Sequence, residues 1–237
     1  MLKIQIMNRN RVILFLVPVC LFLSNCDLRH AGKKSDSIEI VMKKEDTLNL
    51  LTDINPLLEN GHINAVIEIP AGTINKWELD KSTGKIQWEI IDNKPRVVNY
   101  IGYPGNYGMI PRTLISKEKG GDGDPLDILV LGPPVERGHI LPCELIGVLY
   151  LKDRGEQDDK LIAVSIDSPL HDIKDIEELN KNYPGITEIL RMWFTNYKGP
   201  GKLESKGFGN RKVAIDLLKK AINEYELNEK KENLQLK

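Results

Sequence analysis

Three aspartates lie within six positions of one another at the start of an apolar run. Asp122, Asp124 and Asp127 belong to the segment GGDGDPLDILVL, which ends in the unbroken apolar stretch Ile128 to Leu131. Carboxylates this close repel one another unless a positive charge lies between them. The segment must therefore be either a polar turn or a site that binds cations.

Three interpretations of this segment compete. A turn suits Asp and Gly, with Pro125 fixing φ, but it accounts for one or two aspartates rather than three. A calcium loop of the EF-hand type counted from Asp122 needs an acid, a glycine and a glutamate where the chain has Leu126, Asp127 and Pro133. A cluster of hard oxygen ligands for Mg²⁺, completed by a substrate phosphate, fits better. The residues favour magnesium over a turn.

A second acidic segment, LKDRGEQDDKLIAV, carries Asp153, Glu156, Asp158 and Asp159 between two apolar runs. Taken alone, it is typical of a solvated hairpin loop. If its flanking strands neighbour the strand that follows Asp127, both acidic segments meet at one end of a barrel. That arrangement would add ligands to the proposed metal cluster.

Candidate phosphate donors occur in three other segments. They are Lys76, Arg96, Tyr103, Tyr107, Tyr197 and Lys198. A single lysine on a strand is usually solvated, and a tyrosine usually lies at the edge of a core. The segment GYPGNYG is the exception, since a plain turn rarely needs two tyrosines.

The chemistry-bearing segments are embedded in strand-like sequence. The run Asn64 to Pro70 alternates, and NKWELDKSTGKIQWEII reads as a hairpin with its turn at Ser82 to Gly84. Lys76 and Glu78 fall on one face of that hairpin. Three further apolar strands are PLDILVLG, ELIGVLYLKD and KLIAVSID. This spacing predicts a closed or nearly closed β-barrel.

The last third of the chain is helical in pattern. Ser168 and Pro169 form a good N-cap and first-turn pair for a helix in SPLHDIKDIEELN. The segment NRKVAIDLLKKAINEYEL predicts another helix. Between them, GITEILRMWFTNYK carries a predicted apolar stripe of Ile186, Ile189, Leu190, Trp193 and Tyr197. The predicted fold class is therefore α+β, with the barrel first and the helices packed beside it.

Composition places the chain among soluble globular proteins. It has 237 residues, of which 41% are hydrophobic and 28% charged, enough for one large domain or two small ones. The net charge of −1 gives no global field that would attract nucleic acid or an anionic membrane. Any function that depends on charge must be local.

The N-terminal residues have a different character. Lys3, Arg9 and Arg11 precede an apolar run, Val12 to Leu23, that is shorter than the roughly 20 residues of a spanning helix. This pattern predicts a signal peptide. The following LFLSNC resembles a bacterial lipobox, in which Cys26 would be lipidated. A signal peptide without lipid, or a start at Met7, are the alternatives.

The expected organisation is a lipoprotein-like signal peptide at 1–26, a polar tether at 27–37 and one domain at 38–237. This predicts an exported protein, anchored by lipid to the periplasmic side of a bacterial membrane; the alternative is a cytoplasmic protein. After Cys20 and Cys26, only Cys143 remains, so no disulfide framework and no cysteine zinc site is expected. Cys143 is interpreted as a small buried hydrophobe.

The motifs resemble those of the family I soluble inorganic pyrophosphatases. DGDPLDILVL matches that family's Asp-x-Asp-Pro-hydrophobic-Asp pattern. Other shared segments follow in the family's order: VIEIPAG with NKWELDKSTGKI, then YPGNYGMIP, GVLYLKDRGEQDDKLIAV and NYK. The resemblance covers roughly Ala65 to Tyr225. It implies a five-stranded closed barrel like that of oligonucleotide-binding (OB) proteins, with flanking C-terminal helices, in a homo-oligomer. It also implies Mg²⁺-dependent hydrolysis of pyrophosphate to two phosphates.

The resemblance also implies roles for individual residues. Asp122, Asp127 and Asp158 resemble the ligands of the tightest metal, and Asp153 with Asp158 those of a further one. Glu68 and Glu78 lie near another metal or its waters, and Asp124 takes a proton from the attacking water. The implied phosphate-side donors are Lys76, Arg96, Tyr107, Tyr197 and Lys198, with Tyr103 beside them.

Two other functions stay open at this point. An OB-like module that binds nucleic acid or metal would need a basic groove with stacking aromatics. Here acids lie at the ends of the motifs and aromatic residues make up 6% of the chain, which disfavours nucleic acid as a partner. A related phosphohydrolase that acts on polyphosphate or nucleotides has no distinguishing sequence feature.

Overall fold

A computed structural model describes residues 48–116, 118, 121 and 123–235, with the backbone alone for three residues near the C-terminus. The predicted signal peptide, the lipidation site at Cys26 and the predicted tether lie outside the described residues. So does Asp122, the first aspartate of the acidic segment.

Strands dominate the first two-thirds of the described chain, as predicted. The strands of the described residues are β1 (Ile63–Ile69), β2 (Trp77–Asp80), β3 (Lys85–Trp88), β4 (Ile90–Ile91), β5 (Lys94–Pro95), β6 (Asn106–Met109), β7 (Asp127–Leu131), β8 (Ile140–Asp153), β9 (Glu156–Gln157), β10 (Lys160–Ser165) and, in the last third, β11 (Leu203–Asn210). Strands β2 and β3 form the predicted hairpin, with Trp77 opposite Trp88.

Five strands, namely β1, β6, β7, β8 and β10, pair with one another. β6 lies between β1 and β7, both antiparallel to it, and β7 runs parallel to β10. β8 is antiparallel to β10 and, through its first residues, to β1. Each of the five therefore has two neighbours among the others. The long strand β8 also pairs with β11.

The helices follow the first ten strands, and β11 lies between the second and third helices, which confirms the α+β class. They are α1 (Ile176–Asn182), α2 (Ile186–Asn196) and α3 (Arg211–Gln235). The predicted helix start at Ser168 is wrong, because the side chain of Asp175 caps α1 by accepting a hydrogen bond from the Glu177 amide. Ser168 instead stabilises a turn, where its Oγ accepts from the Leu170 amide at 3.1 Å.

The apolar stripe predicted for α2 is only partly correct. Leu190 and Trp193 are buried, but Ile189 is 58% exposed and Phe194 is buried instead. The prediction did not include β11, whose sequence LESKGFGN lacks the apolar alternation of a strand. Within the described part of the chain, no helix is long and apolar enough to cross a membrane.

Cys143 lies in β8 and is fully buried, as expected. Burial raises the pKa of its thiol well above the ordinary value. The residue is therefore an inert part of the strand interior rather than a reactive thiol.

Candidate active site

One cleft gathers most of the residues that the sequence singled out. It has a volume of about 600 Å³ and is bounded by the β2–β3 hairpin, the starts of β7 and β10, and the end of α2. Its charged and phenolic lining comprises Glu68, Lys76, Glu78, Asp80, Lys81, Arg96, Tyr107, Asp124, Asp127, Asp158, Lys160, Tyr197 and Lys198. The two acidic segments therefore do meet.

The innermost group is a lysine between two aspartates. Lys160 donates to Asp127 and, at 2.6 Å, to Asp158 Oδ1. The parallel pairing of β7 with β10 places Leu161 opposite Ile128, so these two strands start side by side. Burial lowers the pKa of Lys160, but the two carboxylates outweigh it and raise that pKa above the ordinary value. The lysine therefore remains charged although it is only 3% exposed.

Glu68 is the other deeply buried acid of the cleft. It lies in β1, is 5% exposed, and accepts a hydrogen bond from the Leu79 amide at 2.7 Å. Burial raises its pKa to about 7; nearby Lys76 opposes this increase and Asp127 adds to it. Glu68 can therefore exchange a proton near neutral pH.

The hairpin presents Lys76 and Glu78 toward the cleft, as the alternation of β2 predicts. Lys76 Nζ lies 3.9 Å from Glu78 Oε2 and 5.7 Å from the centre of the Tyr107 ring. Burial raises the pKa of Glu78, and the charge of Lys76 opposes the increase. The lysine thus stands between an acid and a phenol at the wall of the cleft.

Arg96 joins the same wall. Its backbone carbonyl accepts from the Lys76 amide at 3.1 Å and from the Trp88 indole at 2.8 Å. Its Nη1 contacts both carboxylate oxygens of Glu89 at 2.8 Å. These contacts hold the guanidinium group at the side of the cleft.

Asp124 lies at the mouth of the cleft. Its side chain is 53% exposed and forms an ion pair with Lys81. Lys81 also donates to the Gly123 carbonyl at 3.1 Å. A residue of the hairpin turn is thus attached to the acidic segment 43 positions away.

The far side of the cleft is aromatic. Tyr197 stacks on Trp193 with ring centres 4.7 Å apart, and Tyr103 lies between Tyr107 and Trp193. Burial raises the pKa values of all three tyrosines. Their hydroxyls therefore stay protonated and able to donate hydrogen bonds. Tyr103 supports the other two rings and does not line the cleft itself.

Lys198 follows Tyr197 at the end of α2 and reaches the last residue of β8. Its Nζ donates to Asp153 Oδ2 at 2.7 Å. Asp153 Oδ1 is buried, and no described residue provides it with a hydrogen-bond partner. Asp153 thus connects to the cleft through Lys198 without lining it.

The oxygen donors suit a hard divalent cation, since all are carboxylates and one of them, Asp153, carries a buried oxygen to which no described residue donates a hydrogen bond. Among the described residues, however, no three acids, histidines or cysteines lie close enough together to hold an ion. Asp122 is outside that set, and Lys160 occupies the space between Asp127 and Asp158. The carboxylates fit a metal in kind and location, but not as a closed shell.

Sequence reasoning missed Lys160, Lys81 and Glu89, which the structure places beside predicted site residues. Lys160 was the most detectable, because it is a charge at the first position of an otherwise apolar strand. Asp159 belongs to the acidic segment but has a structural role: its Oδ1 accepts from the Leu151 amide at 2.9 Å.

The amino-acid sequence matches that of known proteins. A family model described as "Inorganic pyrophosphatase" matches residues 65–226, more than half of the chain. The chain belongs to this family. It is 39% identical over 170 residues to the inorganic pyrophosphatase of Campylobacter jejuni, covering 69% of this chain and 91% of that one. To the enzyme of Helicobacter pylori it is 38% identical over 168 residues, covering 68% and 90%.

Solved structures agree. The Helicobacter pylori inorganic pyrophosphatase superposes with a TM-score of 0.62 at 34% identity, covering 73% of this chain and 99% of that one. The Thermus thermophilus pyrophosphatase gives 0.63 at 30% identity, with 76% and 99% covered. The chain is therefore an inorganic diphosphatase that hydrolyses pyrophosphate, and its family is metal-dependent. The predicted family, enzyme class and reaction are confirmed.

Proposed function

We propose that the chain hydrolyses the magnesium complex of pyrophosphate in this cleft, with acids that hold the metal and cations that hold the phosphates. The observation that carries the proposal is that carboxylates and cations line the same cleft, with the acids Glu68, Asp127 and Asp158 innermost. A polyanionic substrate needs cationic donors, while divalent ions need carboxylates. Both requirements are met within about 600 Å³.

The acids are assigned to the metal. The residues that would hold Mg²⁺ are Asp122, Asp127, Asp153, Asp158, Glu68 and Glu78. When bound, such ions neutralise phosphate charge and lower the pKa of the attacking water. The buried Asp153 oxygen without a described partner supports this assignment.

Lys160 is assigned to holding the two innermost acids. Its ammonium group contacts both Asp127 and Asp158, so their mutual repulsion is offset before any ion binds. Because Lys160 is buried and begins a strand, its position is set by the sheet rather than by solvent. The acids therefore keep their spacing.

Asp124 is assigned as the proton acceptor. It lies at the solvent-exposed mouth of the cleft, three residues before β7 begins at Asp127. In this role its carboxylate takes the proton of the water that attacks phosphorus. The ammonium of Lys81 forms an ion pair with this carboxylate at the mouth of the cleft.

Lys76, Arg96 and Lys198 are assigned to the phosphate oxygens, together with Tyr107 and Tyr197. The cations offset charge on the leaving phosphate, mostly through positioning and electrostatics. The tyrosine hydroxyls act as neutral donors, since burial keeps them protonated. Tyr103 holds the Tyr107 ring in place at a centre-to-centre distance of 5.1 Å.

The test is phosphate release by the purified full-length chain. We expect release from pyrophosphate with Mg²⁺ and none after chelation. Asp124→Asn should keep the fold and lose at least about a hundredfold in turnover. Asp172→Asn, on a side chain that is 90% exposed, is the matched control and should stay active. Full activity of Asp124→Asn would remove its assigned role.

Two architectural points belong to the same proposal. The cycle of pairings through β1, β6, β7, β10 and β8 supports a closed five-stranded OB-like barrel. We also infer a homo-oligomer, as the family resemblance implies. Sedimentation equilibrium of the full-length chain tests this, and a monomer at micromolar concentration would contradict it.

For location, we propose export with lipid on Cys26 and attachment to the periplasmic side of a bacterial membrane. The support is the N-terminal pattern of basic residues, apolar run and LFLSNC. Radiolabelled lipid should be incorporated, and Cys26→Ala should abolish that incorporation. Unchanged labelling in the variant would refute lipidation at this residue.

A further inference from the structure

The turn of the β2–β3 hairpin reaches across the mouth of the cleft to the acidic segment. Lys81, which follows β2, donates to the Gly123 carbonyl at 3.1 Å and to the carboxylate of Asp124. These two acceptors are consecutive in the chain and lie 42 and 43 positions after Lys81. One ammonium group therefore connects the two sides of the cleft mouth. We call this pair of contacts the clasp.

The hairpin side of the clasp is held by hydrogen bonds within the turn. The Asp80 carboxylate accepts from the Ser82 amide at 2.9 Å, from the Ser82 hydroxyl at 2.7 Å and from the Thr83 hydroxyl at 3.0 Å. The Gly84 amide donates to the Asp80 carbonyl at 2.8 Å and closes the turn. The backbone that carries Lys81 is therefore fixed, and its side chain extends from a braced turn.

The acidic segment is held by the backbone on either side of Asp124. The Gly123 amide donates to the Ile115 carbonyl at 3.1 Å, and the Leu126 amide donates to the Thr113 hydroxyl at 2.9 Å. Asp124 itself lies in a bend, outside the regular strand that follows. The clasp adds an attachment at the side chain to which the proposed function assigns proton transfer.

Lys81 differs from the cations that are assigned to phosphate oxygens. The side chains of Lys76, Arg96 and Lys198 are between 16% and 26% exposed, whereas that of Lys81 is 52% exposed. Solvent ions screen an exposed charge more strongly than a buried one. Lys81 is therefore poorly placed to hold a phosphate, but its contacts are well placed to hold the acidic segment.

We propose that Lys81 is a positioning residue for hydrolysis: by clasping Gly123 and Asp124, it keeps the Asp124 carboxylate where it can take the proton of the attacking water. This rests on the proposed function, which assigns that proton transfer to Asp124. Misplacing a reacting group by about 1 Å can lower a rate about a hundredfold. Because the clasp is half exposed, it refines a position that the backbone already sets, and its loss should cost less than that.

The test compares steady-state kinetics of full-length wild-type, Lys81→Met and Lys81→Arg chains with pyrophosphate and saturating Mg²⁺. Lys81→Met should lower kcat about tenfold and change KM by less than about twofold, because the substrate contacts remain. Lys81→Arg, which keeps a cationic donor, should recover at least about half of the wild-type kcat. Lys85→Met is the matched control, since it removes the same charge from the same hairpin at a residue that does not line the cleft. It should change neither constant.

A double-mutant cycle with Asp124→Asn separates positioning from a merely structural role. If Lys81 acts through Asp124, adding Lys81→Met to the Asp124→Asn chain should cost less than about twofold in kcat, because the carboxylate to be positioned is already absent.

The outcomes distinguish this inference from the proposed function. Independent, multiplicative losses in the cycle, or wild-type kcat in Lys81→Met, would overturn the positioning role and leave the proposed function standing. A loss confined to KM would also overturn it, since Lys81 would then attract substrate. Full activity of Asp124→Asn would overturn the proton-acceptor assignment, and this inference with it.

Discussion

The cleft contains two ion pairs of the same chemistry in different surroundings. The inner cluster joins Lys160 to Asp127 and Asp158, with the lysine 3% exposed. The outer pair joins Lys81 to Asp124, with both side chains about half exposed, at 52% and 53%. An ammonium group beside a carboxylate therefore serves two purposes in one site.

The difference arises from the elements that carry the residues. The inner cluster lies at the starts of β7 and β10, whose parallel register fixes it. The outer pair joins a hairpin turn to a loop, and water competes for both partners. Removing one partner of a buried pair strands an uncompensated charge, whereas an exposed pair contributes little. The inner cluster is thus a rigid scaffold, and the outer pair is an adjustable contact.

Breaking the inner cluster should have the largest effect on the free energy of unfolding. Lys160→Met leaves Asp127 and Asp158 facing each other with no cation between them. We expect the free energy of unfolding of the chelated protein to fall by about 3–4 kcal/mol, measured by urea denaturation. Lys160→Arg, which retains the charge, should lose less.

Metal gives this prediction a second readout. If Asp127 and Asp158 hold a divalent ion, Mg²⁺ should restore part of the stability that Lys160→Met loses, because the ion replaces the missing ammonium group. A loss below about 1 kcal/mol in chelator would contradict the scaffold role, given the 3% exposure of the lysine.

Burial of Glu68 in the inner part of the cleft should make the stability of the protein depend on pH. Burial raises its pKa to about 7 from 4.5, so the folded state holds this proton more tightly than the unfolded state. Its contribution to stability is fully present below about pH 4.5 and is lost as pH rises through 7. The change amounts to about 3 kcal/mol over that window. We expect the stability of wild type relative to Glu68→Gln, in chelator, to fall accordingly between pH 4.5 and 8.

The urea midpoints of the two proteins at four pH values provide the measurement. The comparison with Glu68→Gln removes the titration of the other acids, which both proteins share. A difference that stays constant across the window would mean that Glu68 is solvated, contrary to its 5% exposure.

Much of the site could be predicted from the sequence because its residues lie in short local patterns. Asp124 and Asp127 border one apolar strand, and Lys76 and Glu78 alternate along one hairpin. Such spacing in the sequence predicts proximity in the folded protein, since a strand places alternate residues on one face. From this spacing it followed that the acidic segments meet if the strands that flank them are neighbours.

The contacts between distant segments were not predictable from such patterns. Lys160 meets Asp127 only because β10 pairs with β7 in parallel, and β8 lies between them in sequence. Lys81 meets Asp124 across 43 positions. Likewise, Ser168 and Asp175 are both suitable N-caps, and tertiary contacts decide between them: the second oxygen of Asp175 accepts from the Arg211 amide at 3.0 Å.

Breaking the outer pair should have a small effect on stability. Lys81→Met removes an ion pair in which both side chains are about half exposed. We expect the free energy of unfolding to fall by less than about 1 kcal/mol, measured by the same urea denaturation. A loss as large as that of Lys160→Met would show that the outer pair is not the solvated contact described above.

Raising the salt concentration should change the stability contributed by the two pairs by different amounts, and this is the smallest of the expected effects. Exposed charges are screened over about 10 Å at 0.1 M ionic strength, and buried charges much less. Raising sodium chloride from about 0.05 M to 0.5 M should therefore abolish the few tenths of a kcal/mol that Lys81 contributes. The larger deficit of Lys160→Met should change by less than about 0.5 kcal/mol over the same range, because Lys160 is 3% exposed and its partners lie against it. Equal salt sensitivity in the two variants would mean that water reaches the inner cluster as freely as the outer pair.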